Sequence, residues 1–344
     1  MYIQCATTRV RVALIPAHTS EVVGKVDKSL RSALDLGTAL SRYGILKRLL
    51  ALTAVSCVSV LCSAQSSAGR PAITGVSHMT IYASDLAATK KFYGKEIGLT
   101  EGAPDSAGRA RYFASTRQYI VIAPLPANHD LSRLESVAFV TADAEGLRRY
   151  LAAHGVQVPG KVSRERDGRT LFYVKDPEGH SIGFEQGGAA LKPAKLATAS
   201  FTRMIHVGFV VNNRAAEDAF FKDVLGFRPY WHGGRNGTDE WISLQVPEGS
   251  DWIEYMINND SEPNQHTLGV LNHFSVAVVD IHQAQHVIEG HGWHETAEEQ
   301  AKIGRDGKWQ LNVYDPDQTR VEFMEFKPTQ PPCCSEFTAS HPQP

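Results

Sequence analysis

Two histidines and two glutamates in the second half of the chain have the residue types and spacing to hold a metal ion. His206 lies in Met204-Ile205-His206-Val207 and His273 in Asn272-His273-Phe274-Ser275. Glu254, in Trp252-Ile253-Glu254-Tyr255-Met256, follows His206 by 48 positions, and Glu322, in Arg320-Val321-Glu322-Phe323-Met324, follows His273 by 49. Imidazole nitrogen and carboxylate oxygen suit a hard or borderline divalent ion. Two histidines with one carboxylate also leave coordination positions open, as in non-haem iron sites. A carboxylate beside such an ion, Glu254 or Glu322, can move a proton at a substrate carbon. A single strand histidine is ordinarily a core or surface residue, so the weight rests on several side chains recurring in equivalent places.

An internal repeat defines those places. Residues 76–99 and 204–227 share one layout: an alternating apolar strand carrying His78 or His206, an amphipathic helix, then Gly98 or Gly226 in the position that ends a helix. Arg166-Asp167-Gly168 lies ten residues before Asp176-Pro177, as Arg305-Asp306-Gly307 does before Asp315-Pro316. Asp-Gly between apolar runs signals a hairpin, and Asp-Pro marks the next tight turn. Each quarter therefore reads strand, helix, then three strands, starting near 76, 134, 204 and 271. The period-2 pattern predicts half-buried first strands, and strands in common register would aim the four candidate ligands into one concavity.

This repeated βαβββ unit resembles the vicinal oxygen chelate (VOC) superfamily, which includes glyoxalase I, extradiol dioxygenases, metal-dependent epimerases and antibiotic-resistance proteins. The resemblance covers about residues 75–327. It implies an α+β protein in which four modules pair into two cup-like domains of mixed sheet, at 75–187 and 202–327, joined by a linker at 188–201. In that family two units form a cup around one metal, with ligands from the first and last strand of each unit. It therefore implies one divalent metal in the second cup, held by His206, His273, Glu322 and Glu254. That set resembles the ligands of glyoxalase I, whose fourth-strand segment also reads Ile-Glu followed by Asn, as Ile253-Glu254 and Asn258 do here; it would suit nickel, zinc, cobalt or manganese, with iron(II) for the dioxygenase mode.

The first cup lacks this set. His78 keeps its slot, but Ser136 stands where His273 does and Gly183 where Glu322 does. No acid occurs from Thr116 to Ala127; Glu185 lies two residues past the ligand slot, and Gln118 is the remaining stand-in. That half reads as a retained scaffold.

Two enzymatic chemistries and one binding role follow from the resemblance. In the glyoxalase or epimerase mode the substrate chelates the metal through neighbouring oxygens while Glu254 or Glu322 moves a proton. In the extradiol mode iron(II) takes a catecholate and dioxygen. The four-unit layout resembles extradiol enzymes, whose signature nonetheless wants a Gly-x-His and a Tyr three residues before the Asp-Pro turn. Ile303 to Gln310 holds no histidine, Asn312 occupies the Tyr slot, Tyr173 has the spacing but in the other domain, and Gly249-Ser250-Asp251 supplies no other active-site histidine. Proton transfer is thus the first reading, ring cleavage the second, and a binding protein without turnover the third. Candidate pocket residues are Trp231, His232, Arg235, Tyr255, Asn272, Trp309 and Tyr314, with Arg235 placed to clamp an anion; His282, His286, His291 and His294 read as surface residues.

The bulk numbers agree with a globular chain. Of 344 residues 42% are hydrophobic and 21% charged, and 35 basic against 37 acidic side chains leave no electrostatic footprint for nucleic acid. A small-molecule substrate is the expected partner, with at most a second copy of the chain in a homodimer. Lys47 and Arg48 precede the apolar run Leu49–Leu61, and Cys62-Ser63-Ala64 offers small residues for cleavage. Residues 1–64 thus read as an N-terminal extension with a secretory signal, too short to span a membrane, and the protein as periplasmic or secreted. Export would separate it from the cytosolic thiol cosubstrate of glyoxalase, so another substrate with a vicinal carbonyl/hydroxyl or dicarboxylate pattern is implied. In the Pro-rich tail at 328–344, Cys333-Cys334 could form a vicinal disulfide, cross-link chains, bind a soft metal or have no role.

Overall fold

The computed structural model describes residues 69–187, 201–257, 259, 261–294, 296 and 299–344. The predicted leader at 1–64, nearly all of the predicted linker and Asn258 lie outside these residues. Among the described residues no helix is long and apolar enough to cross a membrane.

Four βαβββ modules follow one another. The first contains β1 (Ile73–Ala83), a helix, β2 (Thr100–Glu101), β3 (Ala110–Phe113) and β4 (Tyr119–Pro124). The second contains β5 (Leu134–Thr141), a helix, β6 (Ser163–Arg164), β7 (Thr170–Lys175) and β8 (Ser181–Gln186). The third has β9 (Arg203–Val210), β10 (Arg228–Arg235), β11 (Thr238–Gln245) and β12 (Trp252–Met256), and the fourth β13 (His273–Val278), β14 (Lys302–Ile303), β15 (Trp309–Tyr314) and β16 (Arg320–Glu325). Each pair of modules makes one eight-stranded sheet, in the orders β2-β3-β4-β1-β5-β8-β7-β6 and β10-β11-β12-β9-β13-β16-β15-β14. The first strands of paired modules run antiparallel, and each lies parallel to the last strand of its own module. The four central strands therefore bring first and last strands of two modules side by side.

The helices are α1 (Leu86–Lys91), α2 (Ala144–Ala153), α3 (Arg214–Asp218), α4 (Gln265–Leu271) and α5 (Ile281–Gly290). Asp85, Asp143, Asn213, Asn264 and Asp280 cap their N-termini through side-chain oxygens, which satisfies backbone N–H groups that have no partner within the helix. After α1 and α3 the chain widens into a π-helical turn, Phe92–Glu96 and Ala219–Val224. In both turns an adjacent aromatic pair is buried, Phe92-Tyr93 and Phe220-Phe221. Gly98 and Gly226 then adopt φ of +85° and +76°, as expected of residues that end a helix. Gly168 and Gly307, also at positive φ, complete the two predicted Asp-Gly hairpins.

The first strands are not half-buried. β9 is buried on both faces along its middle, because one face lines a cup and the other meets the body of the protein. Gln118 fastens the two sheets: its Nε2 donates to the carbonyls of Val76 (3.1 Å) and Met204 (2.8 Å), and its Oε1 accepts from Met204 N (3.0 Å). Asp251 accepts from Val76 N at 3.0 Å and pairs with Arg203. Gln118 is thus structural, not a ligand stand-in.

Candidate metal centre

Strand register decides which side chains share the second cup. His206 on β9 is opposite Trp252 on β12 and Ser275 on β13, and Ser275 is opposite Glu322 on β16. Two residues along β9, Gly208 is flanked by Glu254 on one side and His273 on the other. All four predicted residues therefore occupy two adjacent rows of one face.

Their functional atoms converge. His206 Nε2 lies 3.0 Å from His273 Nε2 and 3.1 Å from Glu322 Oε2, and His273 Nε2 lies 3.7 Å from the same oxygen. Such separations match ligand atoms around one ion held at about 2.0–2.2 Å. His273 Nδ1 donates to the Leu271 carbonyl at 3.0 Å, which leaves the Nε2 lone pair facing the centre. Burial lowers the basicity of both imidazoles, and Arg320 lowers both further. Burial opposes ionisation of Glu322, but Arg320 and His206 outweigh it and hold the carboxyl below its usual range. Glu254 Oε2 is 3.7 Å from His273 Nε2, and burial together with the Glu322 charge raises its pKa. Glu254 stands just outside the tight triad of His206, His273 and Glu322. The donor set fits a divalent ion.

The site depends on a missing side chain. A Cβ on Gly208 would lie 2.1 Å from His273 Cε1 and 2.5 Å from its Nδ1. Gly208→Ala is therefore expected to rotate His273 out of position and weaken metal affinity by about 10–100-fold, as loss of a ligand-orienting group does. Chelator competition measures the loss, and an unchanged affinity would show that the ring is held by other contacts.

A cavity of about 470 Å³ opens over Glu254 and Glu322. Trp231, Arg235 and Tyr314 line it, as the sequence predicts. Four predicted residues do not. Tyr255 follows Glu254, so alternation turns it to the opposite face against Phe209 and Phe221. Trp309 alternates with Lys308 and Gln310 and faces His282 on α5. Asn272 precedes the ligand and accepts from Val210 N at 3.1 Å. His232 is exposed and lies 2.9 Å from Asp239. His282, His286 and His294 are exposed and His291 half-buried.

Sequence reasoning missed Arg320 and Lys308. Arg320, two residues before Glu322 and so on its face, places Nη2 2.8 Å from His273 Nε2, while its buried Nε has no partner. Lys308 is fully buried, with Nζ 4.6 Å from the Trp252 ring centroid, 5.1 Å from Phe337 and 5.4 Å from Tyr230. Burial pushes its ammonium below the usual lysine range. Period-2 counting backward from the ligand strands finds Arg320; the lysine cage needs the tail. Residues 328–344 run from the Gly307 turn, where Thr329 N donates to Gly307 O at 2.8 Å, to the edge strand β10, where Thr338 N donates to Tyr230 O at 2.9 Å. This crossing brings Phe337 into the cavity wall, and Cys333-Cys334 within it are joined as a vicinal disulfide. The tail is a packed wall of the cup.

In the first cup the matching rows hold Tyr119, His78, Ala138 and Gly183, then Val121, Thr80 and Ser136. Ser136 and Gly183 occupy the slots read from sequence, and Val121 that of Glu254. His78 Nε2 lies 2.9 Å from Tyr173 Oη and its Nδ1 3.4 Å from Glu185, whose carboxylate accepts from Tyr119 (2.6 Å) and Arg169 (2.9 Å). Side chains of this network occupy the volume a ligand would need; a Cβ at Gly183 would lie 2.6 Å from the Tyr173 ring.

The profile of the Glyoxalase/Bleomycin resistance protein/Dioxygenase superfamily matches residues 75–184 and again 203–323. The chain belongs to this superfamily. No curated protein matches it. Among solved structures it is similar to a variant of homoprotocatechuate 2,3-dioxygenase from Brevibacterium fuscum, at 18% identity and TM-score 0.58, over 79% of this chain and 74% of that one. An anaerobic complex of that enzyme with 3,4-dihydroxyphenylacetate gives 17% identity and TM-score 0.58 over 79% and 83%. At such identities the likeness concerns the fold of this VOC protein.

Proposed function

We propose that this VOC protein is a divalent-metal enzyme of the glyoxalase or epimerase type, acting on a small anionic substrate with two neighbouring oxygens. His206, His273 and Glu322 would hold the metal, which supplies Lewis acidity to those oxygens. Glu254, an acid 3.7 Å from His273 and outside the triad, carries the reading: its place in the cup and its raised pKa suit a group that takes a proton from carbon and returns it. Arg320 and Lys308 face Glu322 and Glu254 from the cavity wall. Lys308 also lies 3.7 Å from Asp306, and Arg235 pairs with Glu240 at 3.1 Å, so the positive charge left for a carboxylate-bearing substrate comes from Arg320 and from the exposed Lys302 and Arg305. Trp252, stacked on His206 at 4.6 Å, keeps one side of the centre dry. The exported location read from residues 1–64 belongs to this proposal, as does a substrate other than a cytosolic thiol adduct.

Ring cleavage by an extradiol-type iron(II) enzyme is the second reading, supported by the two-histidine, one-carboxylate triad and the likeness to the homoprotocatechuate dioxygenase fold. Against it, among the described residues no histidine besides the two buried ligands His206 and His273 stands at the cavity to act as an acid or base. Protein stripped of metal and reloaded anaerobically with nickel, zinc, cobalt, manganese or iron(II) separates the readings. Solvent deuterium entering a 2-hydroxycarbonyl or 2-oxo acid without oxygen uptake is expected; oxygen uptake with a carboxylated catechol and iron would replace the first reading with the second.

A further inference from the structure

The Asp-Pro turn of each even-numbered module docks on the first helix of a module in the other domain. In one junction Asp315 Oδ2 accepts from Tyr93 Oη at 3.0 Å, and Ser84 N donates to Asp317 at 2.7 Å. In the other, Asp176, Glu178 and His180 meet α3, with Asn212 N donating to Glu178 at 2.7 Å. Counted from the helix caps Asp85 and Asn213, Thr89 corresponds to Glu217 and Tyr93 to Phe221; counted from the turn aspartates, Thr319 corresponds to His180. Three changes thus put a second carboxylate and an imidazole beside Asp176, where Asp315 has only the hydroxyl-bearing Thr89, Tyr93 and Thr319 at the matching positions.

We infer that Asp176, His180 and Glu217 form a second divalent-metal site, a structural clamp between the second and third modules. Their ligand atoms lie within 4.8 Å of one another. His180 Nδ1 is 2.7 Å from Asp176 Oδ2, while Asp176 Oδ1 is held by the backbone N–H of Glu178 (3.1 Å) and His180 (2.7 Å). The turn therefore presents its imidazole and carboxylate in fixed orientation. Glu217 is completely buried; one of its oxygens accepts from Glu178 N at 3.1 Å, and the other accepts no hydrogen bond. An unpartnered carboxylate oxygen beside a second buried carboxylate is unfavourable unless a proton or a cation compensates it, and a divalent ion between the two acids and the imidazole would satisfy both acids at once. Among the described residues no guanidinium or ammonium bonds to either acid, and Phe221 has no hydroxyl to match Tyr93. Two carboxylates and an imidazole suit zinc, manganese or iron(II). Of the three, His180 also lines a cavity of about 430 Å³ distinct from the cup over Glu322, so the imidazole side of the cluster is the side open to an incoming ion.

The test uses the full chain with His273→Ala, which disables the first centre. After equilibration with zinc or manganese and removal of free metal, this variant is expected to retain about one equivalent per chain, and metal should raise its Tm by several degrees. Adding Glu217→Gln, which keeps size and the bond from Glu178 N, should abolish both effects. Retention of no metal by His273→Ala, or of equal metal in the double variant, would overturn the clamp without bearing on the first centre.

Discussion

His206→Ala and His273→Ala are each expected to lower metal affinity at the first centre by at least about 1000-fold, because loss of an orienting partner alone costs about 10–100-fold and these changes remove a donor atom. Both rings are fully buried, and their nitrogens are 3.0 Å apart, so neither can replace the other without opening the row between β9 and β13. Chelator competition followed by elemental analysis measures the loss, with circular dichroism as the control for folding. Loss of the metal of this centre without loss of fold is expected, since the core is formed mainly by apolar residues of strands and helices outside the ligand set. Unchanged affinity in either variant would remove the centre from the account. Turnover should fall with the metal and return in proportion to reloading.

Glu254→Gln should behave differently. It preserves volume but neither takes up nor releases a proton, so kcat is expected to fall about 100- to 10,000-fold, the usual contribution of a positioned acid or base, with metal content unchanged. Glu254 Oε1 lies 3.4 Å from Ser243 Oγ and Oε2 3.7 Å from His273 Nε2, so the carboxamide can keep the same place. Joint loss of metal and turnover would instead place Glu254 among the ligands, as the four-residue resemblance implies. Full activity with full metal content would eliminate it as the proton carrier and leave ring cleavage as the better reading.

Residues spaced along the chain were readable to very different degrees. His206 and His273 stand at the starts of repeated units, and their partners follow at nearly equal distances, so pattern alone placed them in homologous slots. Ser136 and Gly183 were readable as substitutes for the same reason. Tyr255 and Trp309 were misplaced because β12 and β15 carry large side chains on both faces; composition shows that neighbours alternate, not which set closes over the cup. The predicted half-burial of the first strands was wrong because aromatic side chains of the helical turns cover what alternation marks as the outer face, Phe221 against Phe209 and Tyr93 against Phe274.

The order of residues by itself determined the four modules, their turns and the shared slots of the ligand residues, because these depend on short-range periodicity repeated four times. Tertiary structure decided the rest. It placed Lys308 in an aromatic cage completed by Phe337, brought the Arg320 guanidinium against His273, and set Glu217 against a turn 39 residues earlier. Each of these contacts joins distant strands, turns or tail segments, and only the packing of two curved sheets supplies the short distances on which their electrostatics depend.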